Sequence, residues 1–112
     1  GLAAGELKDG PVALVTPETP VCAICTGRDA AKLRSSSRAI QTRGAPVVAI
    51  APRTVISDLE AAEEILPVPA THPDLVPLLA NVQLQLASYH TANLLGRSID
   101  KPRNLAKSVT VE

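Results

Sequence analysis

The chain has almost no aromatic side chains: no Phe, no Trp, and a single Tyr, Tyr89. Met is absent as well. Its core must therefore be aliphatic. Nucleic-acid bases find no stacking platform here, and the eleven basic residues are balanced by eleven acidic ones, leaving no net field to attract a polyanion. No run reaches about 18 uninterrupted apolar residues, which excludes a membrane-spanning helix. The start, Gly1-Leu-Ala-Ala-Gly-Glu-Leu-Lys-Asp-Gly10, lacks the basic segment and apolar run of a secretion signal. A cytoplasmic protein is the expectation. Gly1 in place of an initiating Met suggests a processed, trimmed or partial chain.

Cysteine is scarce too. Cys22 and Cys25 form a Cys-x-x-Cys, which suits a redox pair or half a zinc site. Against this, they lie in Val21-Cys-Ala-Ile-Cys-Thr26, an apolar run that reads as a buried strand. Residues three apart on a strand point to opposite faces, so the thiols diverge. No second pair completes a tetrahedral site. Both read as small buried hydrophobes. His72 and His90 read as structural residues, and no Gly-rich phosphate loop is present. No metal or cofactor is expected.

What the chain does have is 112 residues, 46% of them hydrophobic, enough for one modest domain. Strands are expected at 21–26, 46–50 and 65–68, with a further short one at 12–16. Residues 1–10 read as mostly irregular. A helix over 28–43 carries the stripe Ala30, Leu33 and Ile40 and stops at Gly44. Its basic residues Arg28, Lys32, Arg34, Arg38 and Arg43 read as a solvated face. A short acidic helix is expected over 55–63. The continuous apolar run at 46–50 points to a parallel sheet covered on both faces, and Pro67 places the third strand at an edge. The long helix, 73–95, has Thr71 as its N-cap with Asp74 three residues on. It is apolar over so much of its surface that it should be deeply buried or lie at a subunit interface. The order is α/β with right-handed crossovers.

Two segments go beyond fold class. Ala4-Gly-Glu-Leu-Lys8 followed by Gly10-Pro-Val-Ala-Leu14 resembles the Ala-Gly-Glu-Leu-Lys-His-Gly-Pro stretch of glucosamine-6-phosphate synthases. The tail, Lys101-Pro-Arg-Asn-Leu-Ala-Lys-Ser-Val-Thr-Val-Glu112, resembles that family's C-terminus, and Gln83-Leu-Gln-Leu-Ala-Ser-Tyr-His90 resembles the helix before it. The resemblance implies a doubly wound parallel sheet of the sugar isomerase (SIS) type, a flavodoxin-like αβα sandwich that this chain makes in part. Residues 1–96 would be the C-terminal portion of that domain and 97–112 an active-site tail. The expected partners are fructose 6-phosphate and the rest of a synthase chain or a second protomer. The family's glutaminase, first isomerase domain, phosphate loop and isomerising glutamate lie upstream of the segments matched here.

The resemblance also assigns residues. Lys107 matches the lysine that forms a Schiff base with the open-chain ketose, and Arg103 and Ala106 fall beside substrate. An ammonium cannot attack a carbonyl, and at pH 7 fewer than about one lysine in a thousand is neutral. The complete site must lower that pKa by desolvation or a nearby cation. Glu6 and Lys8 match positions that hold the loop. Asp9 stands where the family has the histidine associated with ring opening, a task suited to imidazole. An ordinary carboxylate is ionised at pH 7 and donates no proton, so Asp9 serves only if burial raises its pKa; otherwise it is a solvated turn residue before Gly10 and Pro11. Two functions follow: a component of an aminotransferase-isomerase, or a non-catalytic sugar-phosphate-binding or interaction module derived from one.

Overall fold

The computed structural model describes residues 1–28, 30–60, 62–101 and 103, without the side chain of Asp58. Its centre is a three-stranded parallel sheet in the order β1-β2-β3. The strands are β1 (Val21–Ile24), β2 (Val47–Pro52) and β3 (Glu64–Val68). Val21 pairs with Val47 and Ile24 with Ile50, while Val48 pairs with Glu64 and Pro52 with Val68. This is the parallel sheet expected. Pro67 does sit on an outer strand, where its missing donor costs no ladder bond on the open side.

Two helices cover opposite faces. α1 (Ala30–Gln41) turns Leu33 and Ile40 onto one face, where they meet Ala23, Cys25, Val47, Ala49 and Ala51. α2 (Val76–Leu94) lays Val76 and Ala80 on the other, against Ile50 and Val68. Alternation along β2 explains the division, since residues two apart share a face. β2 is thus the strand whose continuous apolar run is enclosed from both sides.

β1 is not. Ala23 and Cys25 face α1 and are buried, but Cys22 and Ile24 on the opposite face are exposed. Both cysteines were expected inside; only Cys25 is. The sequence run could not separate one covered face from two, because Ile and Cys satisfy either. The long helix, expected to be deeply buried or at a subunit interface, is covered in part within this chain. Its first half packs on β2 and β3, with Gln83 donating to the carbonyl of Pro67 at 3.4 Å, whereas Leu86, Tyr89, His90 and Leu94 are exposed. Within this chain α2 is not deeply buried.

Several boundaries shift for local reasons. The strand expected at 12–16 is a 3₁₀ turn, Pro11–Leu14: Pro11 fixes a helical φ and gives up a donor that the first turn leaves unpaired anyway. Residues read as irregular form another, Ala4–Asp9. The acidic helix is a 3₁₀ segment, Arg53–Asp58, starting straight after Pro52. At α2 a 3₁₀ lead-in, Pro73–Leu75, is capped by His72 rather than Thr71: His72 Nδ1 accepts from the Asp74 N–H at 3.3 Å. α1 closes in a turn at Gly44, whose φ of 77° suits glycine, and an added Cβ would meet Pro17 Cγ at 3.3 Å.

Ile50 is fully enclosed between the strands and α2. Ile50→Ala should cost about 2–5 kcal/mol, read as a lower urea midpoint with unchanged slope. A loss below about 1 kcal/mol would contradict an enclosed central strand.

Candidate functional site

The N-terminal hook is the first element that the sequence marked for function. Leu7, the one residue of Ala4–Asp9 that is buried, packs into the cluster formed by Ala23, Leu33 and Ile40. Two polar bonds fix the backbone around it. Ser36 Oγ donates to the Ala4 carbonyl at 2.8 Å, and Lys8 Nζ donates to Ser35 Oγ at 2.7 Å. Lys8 does tie the loop down; Glu6 has its side chain in solvent. The serines were missed in the sequence. The signal for Ser36 was its place with Ser37 between Leu33 and Ile40 on the buried stripe, small polar residues where another backbone must approach; Ser35 is exposed beside them.

Asp9 ends this helical turn and is exposed, with no side-chain hydrogen bond or ion pair to another described residue. Gly10 follows with φ 151°, a conformation open to glycine, and reverses the chain into Pro11. Arg103 is exposed in a turn at the other end of the described chain, and no hydrogen bond or ion pair links it to Asp9. Ala106 and Lys107 lie outside the described residues.

Two clefts open where the strands end. Residues 3–5 of the hook cross the carboxyl end of β1 and, with Thr26, Lys32 and Leu33, bound a space of about 350 Å³. A second space, about 340 Å³, lies among Gly27, Arg28, Thr54, Thr71 and Val76. The carboxyl ends of parallel strands are where such sheets usually hold ligands. Arg28 Nη2 meets Asp74 Oδ1 at 3.1 Å beside the second cleft, both side chains well exposed. Arg28 thus stays exposed, as expected, while reaching the α2 lead-in, and Arg43, just past α1, bonds the Ala39 carbonyl. His72 Nδ1 also lies 3.6 Å from Asp74 Oδ2, but it can ion-pair only when protonated, and that would end its acceptance of the Asp74 N–H.

The two thiols of the Cys-x-x-Cys lie on opposite faces of β1. Partial burial pushes the Cys22 thiol up from its ordinary value, which lowers the thiolate fraction, while Cys25 is buried on the other face. Among the described residues no group of His, Cys, Asp and Glu could hold a metal ion.

A family model for the SIS domain matches residues 2–95. The chain belongs to the SIS domain family. It is 50% identical over its whole length to a glutamine–fructose-6-phosphate aminotransferase (isomerizing) of Halobacterium salinarum, and 44% identical over 97% of its length to one of Thermus thermophilus. It spans 18% of the length of each of these curated relatives. Among solved structures it resembles the C-terminal domain of glucosamine-fructose-6-phosphate aminotransferase from Francisella tularensis. That match has TM-score 0.79 and 29% identity, covering 88% of this chain and 28% of that one. The α/β architecture, with three parallel strands between helices, agrees with this SIS-domain neighbour.

Ser36→Ala removes the bond that pins the Ala4 carbonyl, an expected loss of about 1 kcal/mol. Amide exchange in residues 4–9 should then quicken about fivefold while β2 is unchanged. Exchange rising equally in β2 would mean that the hook is part of the core rather than docked on it.

Proposed function

We propose that this chain is the C-terminal segment of the isomerase part of an enzyme making glucosamine 6-phosphate from fructose 6-phosphate and glutamine. Similarity over the entire chain to isomerizing aminotransferases carries the reading, because it includes the tail as well as the SIS fold. Residues 1–96 supply part of the SIS domain and 97–112 the active-site tail. A cytoplasmic enzyme fits this role, and among the described residues no helix is long and apolar enough to cross a membrane.

In this reading the neutral amine of Lys107 attacks C2 of the open-chain ketose, and loss of water gives an imine. Ammonia released from glutamine adds to the imine carbon, and Lys107 leaves as the free amine. A base takes a proton from C1 and returns one to C2, while the C1 hydroxyl proton passes to the imine nitrogen, so that C1 becomes the aldehyde and C2 carries the amine. Arg103 and Ala106 lie beside the sugar phosphate. The phosphate needs fixed donors of the kind found at a loop entering a helix, and the family's loop for it belongs to the upstream part. The chain by itself should make no product.

Asp9 favours a second reading, a sugar-phosphate-binding or interaction module without catalysis. It stands exposed where the family has a ring-opening histidine, with no side-chain partner among the described residues. In an active complete enzyme, Asp9→His should raise the rate on closed sugar if ring opening limits turnover. No change would make Asp9 a turn residue remote from substrate.

Lys107→Arg in the complete enzyme keeps the charge but cannot form an imine, so it should abolish amination and leave the thermal midpoint unchanged. Borohydride added with fructose 6-phosphate should trap a sugar adduct on the Lys107 peptide. An adduct on Lys8 or Lys101, with the Lys107→Arg enzyme still active, would refute the assignment.

A further inference from the structure

From Leu75 to Gly96 the sequence holds no Asp, Glu, Lys or Arg. A helix so free of charge belongs in an interior, yet α2 buries only Val76 and Ala80. The residues in between sort onto three faces. Val76, Leu79, Ala80, Gln83 and Leu84 turn towards the sheet. Asn81, Gln85, Ser88 and Ala92 lie along a polar side, beside Ser98 and Ile99 of the returning chain. Leu75, Leu78, Val82, Leu86 and Tyr89 recur at intervals of three and four and fall within an arc of roughly 80° at 3.6 residues per turn. Every one of these five is between 47% and 65% exposed. The result is an uncovered apolar seam along the helix, the kind of contiguous patch that marks an interaction site.

We infer that this seam is covered by the remainder of an SIS-bearing C-terminal domain, the part that this chain does not include, and not by a second copy of the chain. The inference rests on the functional reading above. Two observations favour that occupant. The chain superposes over 88% of its length yet accounts for only 28% of the Francisella domain, so most of that domain is available to lie against it. A second apolar surface is also bare: Cys22 and Ile24 on the open face of β1, whose outer edge has no partner strand among the described residues. A two-fold pair of copies meets through one self-complementary patch, so it covers both surfaces only if they form that patch together. A larger body folded around the chain can cover both.

Thiol footprinting tests this. Leu78→Cys and Leu86→Cys are made in the 112-residue chain alone and in a chimera of the Thermus thermophilus relative whose matching segment is replaced by this chain. Alkylation is read peptide by peptide, so that Cys22 is scored separately. Both new thiols should react freely in the isolated chain, which should be a monomer by light scattering, and at least about tenfold more slowly in the chimera. Equal rates in the two settings overturn the inference. So does protection in an isolated chain that proves to be a dimer, which would assign the seam to a second copy. A chimera that cannot fold also counts against it, since the seam would not fit the body proposed to cover it. Product formation is measured apart from protection. A chimera that protects both thiols but makes no glucosamine 6-phosphate leaves this interface standing and refutes the proposed function.

Discussion

Everything in this chain is arranged around the enclosure of β2. Val47, Ala49 and Ala51 face α1 and Ile50 faces α2, and each is at most 1% exposed. A parallel strand cannot reach its neighbour by a tight turn and requires a crossover, and the one leading into β2 is an α-helix. α1 is the crossover between β1 and β2, and its second duty follows from its place. Its outer flank meets the hook through Leu7, Ser35 and Ser36, so the segment bearing Asp9 is held in place by the helix that seals the central strand.

The type of each element was legible because hydrophobic runs and stripes report burial directly. The parallel sheet, both long helices and the edge position of β3 could be read from the run at 46–50, from Leu33 and Ile40, and from Pro67. Short elements were less legible. At Pro11–Leu14 the deciding factor was proline in the first turn, which outweighed β-propensity, and at Arg53–Asp58 the segment starts directly after Pro52, earlier than its acidic residues suggested. Covering was least legible of all. Cys22 and Cys25 are chemically alike, and their opposite fates depend on what lies over each face, a property of neighbours and not of the run itself.

The candidate site divides in the same way. Resemblance marked Lys8 as a loop anchor, and the structure gives it Ser35 as a partner. The serines, and the ion pair that draws Arg28 to Asp74, could not be read from a local pattern because each links residues far apart in the chain. The roles of Lys107, Arg103 and Ala106 came from resemblance alone. No periodicity marks a lysine as an imine-former; only its surroundings can do that.

Those surroundings join the folding argument to the chemical one. A lysine becomes a nucleophile by losing water or gaining a cationic neighbour, and both clefts at the strand ends of this chain are open to solvent. Under the proposed function, desolvation of the imine-forming amine falls to a body outside it. The chain also leaves bare the seam on α2 and the open face of β1, at a cost that an isolated domain has no reason to bear. α2 ends at Gly96, where the Arg97 N–H bonds the Ala92 carbonyl and the tail departs. A body covering the seam would hold the helix that launches the tail, and would also bring the apolar mass that strips water from an amine. In this view the deficits of the fold and of the site are one deficit, made good by the same contact.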